Sequence, residues 1–183
     1  MSMINFIDEN SYSLIIKLMS NGMTRFMLFI TYLGSATALI ILTIGFLLLL
    51  KNKKNSMLIA INLILVFLLN RILKIIVARP RPEVLKIVQE KGYSFPSGHS
   101  MVSTGFYGLL IYLIYKNVEN KKIKYPLIVA LSILILLIGI SRVYLGAHYA
   151  TDVIGGWIIG ALYLAFFIKY TYKKILRKSK ETF

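Results

Sequence analysis

Residues 26 to 50, FMLFITYLGSATALIILTIGFLLLL, carry no charged side chain. A helix rises about 1.5 Å per residue and a bilayer's hydrocarbon core is about 30 Å thick, so roughly 20 apolar residues suffice to cross it. The stretch from Arg25 to Leu50 exceeds that length. Because lipid offers no partner to backbone N–H and C=O groups, such a segment must satisfy them internally, as a helix does. Comparable runs follow at about 56 to 78, 98 to 115, 126 to 141 and 153 to 170. With 57% apolar residues and a mean hydropathy of +0.72, the chain is too apolar for an ordinary soluble domain. The expected fold is an all-α integral membrane bundle of about five transmembrane helices, forming a single domain over residues 1–183 with its core at 25–170.

Before that core, residues 3 to 20 alternate Ile4, Ile7, Leu14, Ile15 and Leu18 with Asp8, Glu9, Asn10 and Lys17. This segment is too polar to span, and it predicts an amphipathic helix lying in the membrane interface, within residues 1–22. Asn21 and Gly22 break it, and Thr24 is the expected cap of the next helix. No basic segment followed by an apolar core and a small-residue cleavage site opens the chain, so no cleaved signal peptide is expected. Pro80, Pro82 and Pro96 predict a loop over 80 to 97, and Pro126 is the expected first-turn residue of the fourth span.

The formal net charge is +15, but the basic residues gather in short clusters between apolar runs. That pattern reads as membrane topology rather than as a nucleic-acid surface. Lysine and arginine number three in 51–55, four in 116–125 and five in the tail 171–183, so this side is expected to face the cytoplasm. The chain has no cysteine, which excludes disulfide and thiolate chemistry.

Three polar clusters then fall at the opposite, outward ends of the spans. They are KIIVARPRP with Lys74, Arg79 and Arg81; PSGH from Pro96 to His99; and SRVYLGAHYATD from Ser141 to Asp152. Ionisable residues near a bilayer are costly, and their presence makes a functional site the first reading. Their spacing resembles the tripartite signature of the type 2 phosphatidic acid phosphatase superfamily, which includes bacterial lipid phosphatases and vanadium haloperoxidases. Lys74 to Arg81-Pro82, Pro96-Ser97-Gly98-His99, and Ser141-Arg142 to His148 to Asp152 match it without a gap. The resemblance implies a lipid phosphate or diphosphate substrate, of the phosphatidylglycerol phosphate, undecaprenyl pyrophosphate or phosphatidic acid class. It also implies a phosphohistidine on His148, with His99 as general acid and then base, and neither cofactor nor metal.

The residue types suit that chemistry. Phosphoryl transfer is catalysed mainly by positioning and by electrostatic stabilisation of the nonbridging oxygens. Arg81, Arg142 and Lys74 can supply cations, while Ser97 and Gly98 stand where a helix N-terminus favours an anion. If the helix includes His148 to Asp152, the i,i+4 spacing puts the carboxylate beside the imidazole, where it can fix the tautomer. Arg71, Arg79, Lys86 and Lys91 read as structural, solvated or headgroup-facing charges. Three competing readings use the same residues: a metal site of His99, His148 and Asp152, a vanadate-dependent peroxidase, and a nonenzymatic lipid-phosphate transporter or binding protein. Surrounding cations argue against the metal, membrane embedding against the peroxidase, and a complete nucleophile set against the binder. Tyr93, Tyr144, Tyr149 and Trp157 are the expected outer aromatic belt. Gly156 to Gly160 and Gly34 to Ala38 provide small-residue faces for packing within the chain or in a homodimer.

Overall fold

The computed structural model describes residues 3–172. In chain order these form α1 (Met3–Leu18), α2 (Asn21–Leu33), α3 (Ala36–Leu49), α4 (Lys53–Val77), α5 (Gly98–Asn117), α6 (Lys121–Tyr144) and α7 (Ala150–Phe167), with a π-helical turn at Ile168–Tyr172. The expected basic tail lies almost wholly outside the described residues.

The first span is not one straight helix. α2 and α3 meet at a 49° bend. Gly34 closes α2, its N–H donating to the Thr31 carbonyl and the next N–H, of Ser35, to that of Tyr32, and the Ser35 hydroxyl accepts from the Ala38 N–H to start α3. The Tyr107 hydroxyl also donates to the Leu33 carbonyl at 2.7 Å, satisfying a backbone group that the break frees. Ser20, not Thr24, caps α2, accepting from the Met23 N–H at 3.2 Å. α6 begins five residues before Pro126, because the Asn120 side chain accepts from Lys122 N–H and fixes an earlier start.

By length and composition α4, α6 and α7 can each cross a membrane, as can the bent α2–α3 pair taken as one span. α5 falls outside that set because its first half carries His99, Ser100, Ser103 and Thr104. Protein surrounds it instead: α5 packs against α4, α6 and α7, and Met101, Phe106 and Leu109 on it are fully buried. Large apolar side chains such as Leu49, Ile75, Ile76 and Leu162 point away from the bundle, as a lipid-facing surface requires. Between apolar helices in lipid, close packing rather than water exclusion supplies the attraction.

Gly156 and Gly160 carry the α5–α7 contact. A Cβ on Gly160 would lie 2.7 Å from the Met101 carbonyl oxygen, and one on Gly156 3.0 Å from that of Ser97. These small residues are therefore taken up within the chain. Gly160→Ala is expected to cost about 1–3 kcal/mol by forcing the two helices apart; thermal unfolding in detergent that matches the parent protein would contradict this packing.

Candidate active site

Two connections meet at one end of the bundle, the 78–97 loop between α4 and α5 and the 145–149 turn between α6 and α7, and α1 packs beside them through Asp8 and Tyr12. Gly146 shapes the second of these. It sits at φ +70°, and a Cβ there would lie 2.1 Å from the Leu85 carbonyl oxygen, so only glycine lets the two loops touch. The turn ends α6 and brings His148 back over it, with the N–H groups of Ala147 and His148 both donating to the Arg142 carbonyl.

His148 is buried, but it stands outside α7 rather than on it. Tyr149 is the N-cap and Asp152 the third helical residue, so no helical turn joins histidine to carboxylate. The expected contact forms all the same, His148 Nδ1 lying 3.5 Å from Asp152 Oδ2. Asp152 can reach back because its carboxylate also accepts from the Tyr149 N–H at 3.0 Å, in the manner of a residue capping its own helix. The Ser94 hydroxyl donates to the same Oδ2 and lies 3.3 Å from His148 Nδ1. With Nδ1 facing these groups, Nε2 points the other way, 3.4 Å from Arg81 Nη1. Burial, together with the charges of Lys74, Arg142 and Arg81, pushes the His148 pKa down to about 4, against the opposing effect of its hydrogen bond to Asp152.

The cations are held by backbone carbonyls. Arg81 donates to Gly92, Lys91 and Ala147, and Lys74 Nζ donates to Tyr93 at 2.7 Å and Ser94 at 3.2 Å. Arg142, 2% exposed, donates to Thr31 Oγ1 at 2.7 Å and pairs with Glu90, while its buried Nε has no partner among the described residues. The PSGH turn is tied to α7 by the Ser97 N–H, which donates to the Asp152 carbonyl at 3.0 Å. Ser97 Oγ caps α5, accepting from the Ser100 N–H and hydroxyl. Both groups of Ser97 are therefore committed to the scaffold, leaving only its hydroxyl proton for a ligand. Gly98 faces Asn70 and Lys74, and a Cβ there would lie 3.2 Å from Asn70 Oδ1. His99, half-buried on the first turn of α5, is close enough to feel the charges of Arg142, His148, Arg81 and Lys74. Beside Arg81 and Ala147 opens a cavity of about 520 Å³, with Glu90, Lys86 and Gly146 also on its wall.

All eight expected site residues thus come to one place, and four more join them. Arg79 is not a solvated charge: Nη1 lies 2.6 Å from Asp152 Oδ1 and Nη2 2.8 Å from Asp8 Oδ2. Burial opposes its charge, but hydrogen bonding to Asp8 and the charges of Asp152 and Asp8 outweigh that and raise its pKa. Ser94, Glu90 and Asp8 were the other three. Of the expected aromatic belt, Tyr144 is buried, its hydroxyl 3.0 Å from Thr24 Oγ1, and Tyr149 lies under the Arg79 guanidinium at 4.1 Å. The Trp157 indole donates inward to the Ile135 carbonyl.

Over 114 residues the chain is 41% identical to phosphatidylglycerophosphatase B of Bacillus subtilis, an alignment covering 60% of this chain and 54% of that protein. It is 30% identical to undecaprenyl-diphosphatase BcrC of the same organism, over 79% of this chain and 73% of that one. The crystal structure of a transmembrane PAP2 type phosphatidylglycerolphosphate phosphatase from Bacillus subtilis superposes with a TM-score of 0.85 at 31% identity, covering 96% of this chain and 89% of that one. The Aquifex aeolicus LpxE structure shares the fold, with a TM-score of 0.74 at 24% identity, over 93% of this chain and all of that one. A family model matches residues 55–176, a span that holds Lys74, Arg81, the PSGH turn, Arg142, His148 and Asp152, and by that match the chain belongs to the PAP2 superfamily.

Proposed function

We propose that the protein is a metal-independent phosphatase acting on a lipid phosphate or diphosphate. The observation that carries this reading is the poise of His148. Its Nδ1 faces a carboxylate and its Nε2 faces Arg81, inside a cluster of cations that suits a phosphoryl group and opposes a metal ion. The relatives named for action on phosphatidylglycerol phosphate and undecaprenyl diphosphate support the substrate class.

In this mechanism Lys74, Arg81 and Arg142 hold the nonbridging oxygens, with the Ser97 hydroxyl and the Gly98 amide at the start of α5. The lone pair on His148 Nε2 attacks phosphorus as the bond to the lipid oxygen breaks, and His99 gives that oxygen a proton. Asp152 remains a carboxylate and steadies the positive charge on the imidazole ring through Nδ1–H. His99, now neutral, takes a proton from water. The resulting attack on phosphorus breaks the P–N bond, releasing phosphate and a neutral His148.

Neutral imidazole is the reactive form, and a depressed pKa widens the range in which it exists. With the His148 pKa near 4, the acid limb of kcat/KM should fall well below the ordinary histidine value of about 6.5. Phosphate release from phosphatidylglycerol phosphate, undecaprenyl pyrophosphate and phosphatidic acid, assayed with chelator from pH 4 to 8, tests both points. Release from none of them would overturn the function, and an acid limb at or above pH 6.5 would overturn the assignment of a depressed nucleophile.

The basic segments 51–55, 116–125 and 171–183 support a cell-membrane orientation with those ends in the cytoplasm and the site facing outward. As the chain lacks cysteine, Lys91→Cys should be labelled by an impermeant maleimide added outside intact cells. Labelling only after the cells are opened would invert the orientation.

A further inference from the structure

α1 reaches the site through one face. Asp8 and Tyr12 stand four residues apart on it, both buried, whereas Ile4, Leu14 and Leu18 point outward. The Asp8 carboxylate accepts from the Thr151 N–H at 3.0 Å and from the Thr151 hydroxyl, at the first turn of α7. Arg79 then spans from Asp8 to Asp152, donating to the Thr151 hydroxyl at 2.8 Å on the way. Separately, the Tyr12 hydroxyl donates to the His148 carbonyl at 3.1 Å, and its ring meets Tyr149 edge-on at 6.2 Å. Two contacts from one helix thus hold the two ends of the segment that carries the histidine and its carboxylate.

We infer that Asp8, Arg79 and Tyr12 form a latch by which the N-terminal interfacial helix positions Asp152 and His148 for catalysis. Resting on the phosphatase reading above, the inference makes Asp8 and Arg79 positioning residues that act through Asp152 without touching substrate. An interfacial helix needs no buried carboxylate to lie on a membrane, and burying one is costly unless it is paired. Docking alone would be served by the apolar neighbours Val143 and Val153 against which Tyr12 packs. The ion-pair chain instead sets the Arg79 charge against the carboxylate that aligns the imidazole, with the Asp8 charge behind it.

The two charges make opposite demands on His148. That ring also faces Asp152 on α7, Lys74 on α4, Arg142 on α6, His99 on α5 and Arg81 in the loop, with Glu90 on Arg142 and the protonated Tyr12 phenol behind. With those groups unchanged, Arg79→Gln removes a positive charge and favours imidazolium, so the acid limb moves to higher pH. Asp8→Asn removes a negative charge and moves it to lower pH. Shifts on the order of half a unit are expected, with kcat lowered about tenfold and KM changed less than about twofold. Arg79→Lys keeps the charge but not the fork, and should return the limb while recovering only part of the rate.

The experiment uses the full chain in phosphatidylglycerol vesicles containing phosphatidic acid or phosphatidylglycerol phosphate, with melting temperature measured in parallel. The chain has only two histidines, so ¹⁵N NMR of histidine-labelled protein follows the His148 titration whether or not phosphate is released. Opposite shifts in the two variants support the latch. Unmoved titration, with full activity or with activity lost only in step with melting temperature, overturns it. No phosphate release by the parent protein, together with opposite NMR shifts, would leave the latch standing and remove the phosphatase reading instead.

Discussion

His148→Ala is expected to abolish phosphate release, with a fall in kcat on the order of 10⁴-fold or more. Of the two histidines only His148 has a carboxylate at Nδ1 and an arginine beside Nε2. The loss should fall on kcat rather than on binding, because Lys74, Arg81 and Arg142 are held by groups other than the His148 ring. Arg81 is fixed by the carbonyls of Gly92, Lys91 and Ala147, Lys74 by those of Tyr93 and Ser94, and Arg142 by Thr31 and Glu90. A lipid phosphate should therefore still bind to the variant, and equilibrium binding in vesicles checks it. Loss of binding together with turnover would mean that the imidazole is a ligand-holding group and not the nucleophile.

Asp152→Asn should cost about 10³- to 10⁴-fold in kcat with the fold retained. The asparagine has nearly the same shape, but only one of its two terminal atoms can accept. The carboxylate has more than one partner to satisfy: the Ser94 hydroxyl, the Tyr149 N–H, Arg79 Nη1 and His148 Nδ1. An amide nitrogen turned to His148 would also favour the wrong tautomer, placing the proton on Nε2, where the attacking lone pair is needed. The melting temperature should fall modestly through the weakened cap of α7, and far less than activity does. Activity within tenfold of the parent would remove Asp152 from the mechanism.

Much of this arrangement was legible in the chain. Apolar runs bounded by basic clusters mark α4, α6 and α7, since hydrophobic length is a local property. The spacing of Lys74, Arg81, His99, Arg142, His148 and Asp152 was legible as a family signature, and these residues do meet in space. What the chain concealed depends on contacts between distant segments. The bend between α2 and α3 arises at Gly34 and Ser35 inside an otherwise continuous apolar run, where hydropathy does not change. Arg79 looked like one more cation near a helix end, since its partner Asp8 lies 71 positions away on α1. The available signal was scarcity: with 7 acidic residues against 22 basic ones, a carboxylate four positions before a tyrosine on one helix face was worth pairing. His148 and Asp152 are neighbours as expected, but through a loop and a helix cap rather than a helical turn, because Tyr149 N–H turns the carboxylate back.

The claim on which this account turns is that the phosphoryl group passes through a nitrogen of His148. Rapid-quench reaction of the parent protein with ³²P-labelled phosphatidic acid, stopped in alkali and followed by peptide mapping, tests it directly, since His99 is then present to protonate the leaving oxygen and the quench catches the label before water releases it. The account predicts acid-labile, alkali-stable label on the peptide containing His148, and none in the His148→Ala variant. Label that persists in His148→Ala, or turnover in that variant at the parent rate, would contradict it.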